Sequence, residues 1–270
     1  MRNACRESKH GGKRLGFVPT MGALHAGHLS LVQAARAQCG AVAASVFVNP
    51  TQFGPNEDLS KYPRNIERDR ELLEKEKVDL LFAPTAEEMY PPGAVTWVTV
   101  EGLSERLEGK SRPGHFRGVA TIVSKLFNIV EPDRAYFGQK DAQQAVIIRK
   151  MVSDLDLGVE IVVCPTVRES DGLALSSRNV YLNPEERKEA LVLYRALCRV
   201  QSLADQGERD ARKLRDAAVQ VFGSEKQVRM DYFEIVDKES LEPLQDVSRG
   251  ALVVTAAFVG KTRLIDNLVL

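Results

Sequence analysis

Short apolar runs alternate with segments of helical period through the first part of the chain, and that alternation limits the fold more than any other feature. Leu15-Gly16-Phe17-Val18 ends at Pro19, and Ala41–Val48 is apolar and β-branched. Val78–Ala83, Thr96–Val100, Arg134–Phe137 and Glu160–Cys164 are further runs of strand length. Between them lie Leu29-x-x-Val32-x-x-Ala35, closed near Cys39-Gly40, and then Glu67–Lys77, Val119–Val130 and Ala142–Asp154, all at helical spacing. Runs without polar alternation are buried on both faces, and strands separated by helices pair in parallel. The pattern predicts an α/β fold with a Rossmann-like parallel sheet over residues 1–166. Beyond Pro165 the texture changes. Pro184–Ala204 and Asp210–Phe222 read as long helices, and Arg229–Val236, Leu252–Val259 and Arg263–Val269 as antiparallel strands. A smaller α+β domain over 167–270, closing over the site of the first, is expected.

Composition excludes several functions. The 270 residues carry 37 Lys plus Arg against 37 Asp plus Glu, a formal charge of zero, whereas nucleic-acid-binding domains carry a basic excess. The longest apolar runs, Ala41–Val48 and Ala251–Val259, fall far short of the roughly 20 residues of a membrane-spanning helix. Met1–Arg14 is short and polar, with no apolar block of a signal peptide. Cys5, Cys39, Cys164 and Cys198 are scattered without a Cys-x-x-Cys pair, so a disulfide framework or Cys-based zinc site is not expected. The expectation is a cytoplasmic protein with no nucleic-acid or membrane partner.

The strongest chemical signal is Pro19-Thr20-Met21-Gly22-Ala23-Leu24-His25-Ala26-Gly27-His28, between the first strand and the first helix. Open α/β sheets bind ligands at the carboxyl ends of their strands, and a helix N-terminus favours phosphate. Gly27 lets a base or ribose approach the backbone. His25 and His28 are three apart on the first helical turn, placed to donate to phosphate oxygens while charge builds on a leaving group. A metal reading of the pair is weaker, because no acidic third ligand stands in the motif. Three further segments add polar groups. In Gly138-Gln139-Lys140-Asp141, Lys140 is a mobile cation for phosphate, and Asp141 either caps the next helix or accepts from ribose. Gln144, one turn on, suits a polar substrate. Arg112-Pro113-Gly114-His115-Phe116 offers Arg112 as a fork for a substrate carboxylate, with His115 either beside it or structural. In Leu175-Ser176-Ser177-Arg178-Asn179, two hydroxyls and a guanidinium form either an anion clamp or a capping Ser with a surface Arg.

A His-x-Gly-His helix start followed by a Lys or Ser loop resembles the adenylate-forming nucleotidylyltransferase superfamily. The residues narrow this to the pantothenate synthetase family. Phe17–Gly22 with His25-x-Gly27-His28, Val46–Phe53 and Tyr62-Pro63-Arg64 carry the resemblance. So do Leu107-Glu108-Gly109, Arg112–Val119, Phe137–Gln144, Asp171–Asn179 and Arg263-Leu264-Ile265-Asp266-Asn267, in order over nearly the whole chain. The resemblance implies an ATP-dependent ligase that forms pantoyl adenylate from pantoate and ATP and passes the acyl group to β-alanine. It implies that Met21, Gly22, Ala23, Leu24, His25, Ala26, Gly27, His28, Gly138, Gln139, Lys140, Asp141, Val167, Leu175, Ser176, Ser177 and Arg178 hold ATP. His28, with His25 and Lys140, is implied as catalytic. Gln52 and Gln144, with Asn49, Arg112 and His115, are implied for pantoate and β-alanine, and a homodimer as the assembly. Mg²⁺ is expected on the phosphates, with Asp69 a weak candidate protein ligand.

Two other classes use the same residues. A nucleotidylyltransferase acting on a nucleotide-like phosphate acceptor needs the His turn but not Gln52 and Gln144. An ATP-binding regulatory protein without turnover does not need all the cations.

Overall fold

The computed structural model describes residues 1–55, 57–223, 225 and 227–270. Its five-stranded parallel sheet comprises β1 (Leu15–Thr20), β2 (Ala41–Val46), β3 (Leu80–Phe82), β4 (Arg134–Gly138) and β5 (Glu160–Cys164), in the order β3-β2-β1-β4-β5. The strands are apolar on both sides because both sides are covered. Leu15, Phe17, Ala41, Ala43, Ala135 and Phe137 point into one core with Val119, Val123 and Phe127 of α6 (His115–Val130) and Ile147, Ile148 and Met151 of α7 (Ala142–Asp154). The alternate residues Val18, Val42, Ala44 and Tyr136 point into a second core with Leu31, Val32 and Ala35 of α2 (Ala26–Gln38) and Leu73 of α3 (Ile66–Lys75). The period of two along each strand thus divides its residues between two helical layers.

The chain divides into two units. One comprises Met1–Gln139 and Gln143–Pro165, the other Lys140–Ala142 and Thr166–Leu270. In the second, β6 (Val228–Val236), β7 (Leu252–Val259) and β8 (Thr262–Val269) form an antiparallel sheet in the order β6-β7-β8. Val192, Leu193, Ala196 and Val200 of α9 (Val192–Asp205) and Leu214 and Ala218 of α10 (Ala211–Phe222) share its core with Phe233, Val253 and Ala257.

Three local readings of the sequence are corrected. Thr96–Val100 forms no strand and pairs with none among the described residues; the Val98 N–H donates to the Thr121 hydroxyl at 2.9 Å instead. Val95 and Trp97 are exposed there, so no sheet face buries the run. The expected helix Pro184–Ala204 is two, α8 (Pro184–Glu189) and α9. The first, Pro-Glu-Glu-Arg-Lys-Glu, buries no side chain, and the break frees α9 to lay its apolar face on the core. α6 begins at His115, four residues ahead of Val119, after the short α5 (Glu108–Ser111). The polar N-terminus forms α1 (Arg2–Ser8), which buries Cys5 and ties Arg6 to Glu131 at 2.7 Å. The remaining short helix, α4 (Ala86–Met89), ends beside Tyr90. No described helix is long and apolar enough to cross a membrane, and all four cysteines are free thiols.

Candidate active site

The β1–α2 turn is held in one shape by its own backbone. Gly22 sits at φ +83°, and a Cβ there would meet Asp69 Oδ2 at 2.8 Å and Val46 Cγ1 at 2.9 Å, so only glycine fits. Asp69 is 1% exposed, and its two oxygens accept the Ala23 N–H at 2.9 Å and the Leu24 N–H at 2.8 Å. The residue weighed as a metal ligand therefore acts as a brace on the turn. His25 is the N-cap of α2: its Nδ1 accepts from the Gly27 N–H at 3.1 Å, while His28 Nδ1 accepts from the His25 N–H at 3.4 Å. This reciprocal capping box, built from two imidazoles, brings the ring centroids to 4.1 Å. With both Nδ1 atoms accepting, the ring hydrogen of each neutral imidazole sits on Nε2, which makes both rings donors at a helix N-terminus.

Gln52 lies in a short 3₁₀ turn after β2, 9% exposed. Its amide donates to the Met21 sulfur at 2.9 Å and accepts from Asn49 Nδ2 at 3.1 Å. Asn49 is itself 1% exposed and fully engaged. Its Nδ2 also donates to the Gly118 carbonyl at 3.2 Å, and its Oδ1 accepts from the Thr51 hydroxyl and the Tyr90 hydroxyl, each at 2.9 Å. These bonds let Asn49 orient Gln52 from behind. A Cβ on Gly118 would lie 2.5 Å from the Thr51 carbonyl oxygen, so the turn packs directly on the α6 backbone.

Arg112 and His115 back the same turn. The sequence reading gives Arg112 a substrate carboxylate to fork, but its fork is on Glu57, with Nη2 and Nε at 2.6 and 2.8 Å from the two oxygens. Nη1 donates to His115 Nε2 at 3.1 Å, so His115 carries its hydrogen on Nδ1 and donates it to the Gln52 carbonyl at 2.8 Å. Burial first, and the Arg112 charge second, push the His115 imidazole down to about 4, with the bond to Gln52 only partly offsetting them. Burial raises the Glu57 carboxyl, but the hydrogen bonds and charge of Arg112 outweigh it and hold the group below the usual carboxylate range.

The second unit holds Lys140, Asp141, Val167 and Leu175–Arg178, while Gly138, Gln139 and Gln144 belong to the first. Lys140 and Ser176 line one small cavity together with Ala174, Asn179, Ile265 and Asp266. Lys140 Nζ is 4.0 Å from Asp141. Ser176 caps the 3₁₀ turn Ser177–Tyr181 by accepting from the Arg178 N–H at 3.2 Å, and the Val167 carbonyl accepts from the Leu175 N–H at 3.0 Å. Gly138 and Gln139 leave the end of β4, and Gln144 is half-buried on the first turn of α7.

Sequence reasoning missed Gln143, Glu57, Tyr90, Arg168 and the pair Asp266-Asn267 as supports. Gln143 is buried; it donates to the Leu103 and Arg106 carbonyls at 2.9 and 2.8 Å and accepts from the Glu108 N–H at 3.0 Å. A buried polar residue inside the apolar stripe of a helix is the signal that could have found it. No comparable signal marks Glu57, which lies in a loop. Among the described residues no group of three or more His, Cys, Asp or Glu is arranged to hold a metal ion.

A β3-β2-β1-β4-β5 parallel sheet, with a His-x-Gly-His helix start on the carboxyl end of its first strand, defines an α/β protein of the nucleotide-binding class. The chain belongs to the pantoate–β-alanine ligase family, whose profile matches residues 1–269. It is 58% identical over 270 residues to a pantothenate synthetase of Koribacter versatilis, covering 100% of this chain and 93% of that one. It is 62% identical over 260 residues to that of Acidobacterium capsulatum, covering 96% of this chain and 87% of the relative. The crystal structure of pantothenate synthetase from Thermus thermophilus matches with a TM-score of 0.93 at 54% identity, covering 98% of this chain and 96% of that one. A pantoate–β-alanine ligase from Francisella tularensis, complexed with β-γ ATP and β-alanine, matches with a TM-score of 0.79 at 34% identity, over 98% of this chain and 94% of that one.

Proposed function

We propose that this protein condenses pantoate with β-alanine, driven by ATP, through pantoyl adenylate. A carboxylate oxygen of pantoate attacks the α-phosphorus of ATP; the new P–O bond forms as the bond to the β-phosphate oxygen breaks and pyrophosphate leaves. The β-alanine amine then attacks the acyl carbon, AMP leaves with the former carboxylate oxygen, and the amine loses its proton. The substrate is its own nucleophile, so the protein contributes positioning and charge stabilisation.

The reading rests above all on the paired imidazoles, whose Nδ1 atoms are occupied by backbone N–H groups, leaving Nε2–H as the donor of each ring. His25 and His28 hold α- and β-phosphate oxygens, with His28 the proton donor to the leaving group. Lys140, Ser176, Ser177 and Arg178 hold pyrophosphate, Asp141 the ribose, and Met21–Gly27, Gly138, Gln139, Val167 and Leu175 the rest of the nucleotide. Gln52 and Gln144 take the hydroxyl and carboxylate of pantoate, with Gln52 also bordering β-alanine. Asn49, Arg112 and His115 serve them from behind. Mg²⁺ enters as part of the ATP substrate, consistent with its preference for phosphate and water over a protein cage. A cytoplasmic homodimer completes the reading; the Trp97–Val100 segment is the candidate edge, and sedimentation of the purified protein tests the dimer.

The deciding assay has two stages. Pyrophosphate release that requires pantoate, followed by AMP release that requires β-alanine, is the expected result. Release with a nucleotide-like acceptor and none with pantoate would replace this reading with the nucleotidylyltransferase.

A further inference from the structure

We propose that Asn267 is a positioning residue for Lys140, and that the Asp266-Asn267 pair in β8 fixes the phosphate-binding groups of the second unit as one piece. The proposal rests on the phosphate-binding role given to Lys140 above. Lys140 follows β4 in sequence, yet Lys140–Ala142 groups with Thr166–Leu270. The link is a hydrogen bond from Asn267 Nδ2 to the Lys140 carbonyl at 2.9 Å, between residues 127 apart in sequence. Asn267 is buried, so its side chain is held in place by its surroundings as well as by this bond.

The neighbouring residue fixes the other segment. Asp266, 4% exposed, accepts both arms of the Arg168 guanidinium, at 2.6 and 2.9 Å. Arg168 also donates to the Gly172 carbonyl at 3.0 Å and stands 4.6 Å over the Tyr194 ring. It lies in a small hairpin closed by the Leu175 N–H on the Val167 carbonyl at 3.0 Å and the Glu169 N–H on the Leu173 carbonyl at 2.8 Å. That hairpin runs directly into Ser176, Ser177 and Arg178. Lys140, Ser176 and Asp266 line the same cavity, so the three segments share a wall.

The residue type fits the task. A lysine ammonium rides on four rotatable bonds, so only its backbone can be placed firmly. A neutral amide can hold the Lys140 carbonyl without attracting the ammonium away from phosphate, which a carboxylate at that position would do. Asp266 meanwhile has its charge taken by Arg168. Losing the Asn267 bond releases the Lys140 turn while leaving β8 and the Arg168–Asp266 pair in place.

A double-mutant cycle on the full chain tests this, read as pantoate-dependent ATP–pyrophosphate exchange. N267A is expected to lower the exchange rate about tenfold and to raise the KM for ATP, the scale of a misplaced binding group, with a near wild-type Tm. In a K140A background the same substitution is expected to have almost no further effect, because the residue acts through Lys140. If N267A does not fold, N267L takes its place; it is of similar size, lacks the N–H donor, brings no charge near the Lys140 ammonium and is expected to shift exchange in the same direction. Wild-type exchange in N267A, or an undiminished N267A effect on top of K140A, overturns the proposal while leaving the site reading intact. Wild-type exchange in K140A itself overturns both.

Discussion

The two units hold their candidate residues in different ways. In the first, the groups suited to the small acid are fixed from behind by buried partners. Asn49 and Asp69 are each 1% exposed and spend their polar atoms on Gln52 and on the His turn. In the second, Ser176–Arg178 sit half-exposed at the start of a short turn that also carries Val180, 74% exposed. Distinguishing a small hydroxy acid by its shape and hydroxyls needs groups that do not move, since an unmatched buried polar group is costly. Holding a flexible polyphosphate needs charge more than shape, and mobile cations can follow it through the reaction. Substitutions in the first region are therefore expected to damage chemistry more, residue for residue, than those in the second.

The largest expected effect is at the His turn. His28→Ala removes one Nε2–H donor and half of the capping box. Pantoate-dependent ATP–pyrophosphate exchange is expected to fall by roughly 100-fold or more, the scale of one lost preorganised donor. The Tm is expected to drop only slightly, since His25 still caps α2 through Gly27. Near wild-type exchange in this variant would remove the turn from the chemistry and break the comparison at its root.

The next effect concerns the support behind Gln52 and is read as pH-dependent stability. Unfolded, His115 titrates near its ordinary value of 6.5; folded, it titrates at about 4. Between these values the unfolded chain binds the proton and the folded chain does not, so stability falls as pH falls. This contribution is complete above pH 6.5, shrinks by ~2 kcal/mol by pH 5 and is gone below about 4. Glu57 is held below the usual carboxylate range and stays paired with Arg112 through the upper part of that window. Urea denaturation at pH 7, 6 and 5 is expected to show the slope in the wild type and to lose most of it in His115→Asn. An unchanged slope in that variant would mean that another group carries it, and that His115 is not the buried neutral brace described.

The legible part of this chain was what periodicity and local spacing encode. The parallel strands could be read because both faces of each are buried, and the His turn because strand, glycine turn and helix start are adjacent in sequence. Thr96–Val100 misled because β-branched residues mark an extended backbone and do not supply a neighbouring strand. The supports of the site were hidden for a different reason. Glu57 meets Arg112 from 55 residues away and Asn267 meets Lys140 from 127, so no local pattern announces either bond. Residue type gave the candidates, but it did not show that Asn49 spends its polar groups on Gln52, Gly118, Thr51 and Tyr90.

The smallest expected effect is in the second region and separates two uses of one hydroxyl. Ser176 Oγ accepts from the Arg178 N–H at 3.2 Å, the geometry of a cap. If capping is its main role, Ser176→Ala loosens a short surface turn by about 1 kcal/mol. That loss falls on the local turn, so the global Tm stays near wild type. Because Arg178 follows in the same turn, the KM for ATP is expected to rise up to about fivefold, the kinetic equivalent of such an energy, with kcat little changed. Ser176→Thr, which keeps the accepting oxygen, is expected to recover most of it. A 100-fold loss of kcat in Ser176→Ala would instead make the hydroxyl a direct phosphate ligand whose bond strengthens in the transition state. The side chains of the second region would then be as preorganised as those of the first, and the contrast between a pocket fixed to its side-chain tips and a clamp fixed only in its backbone would fail.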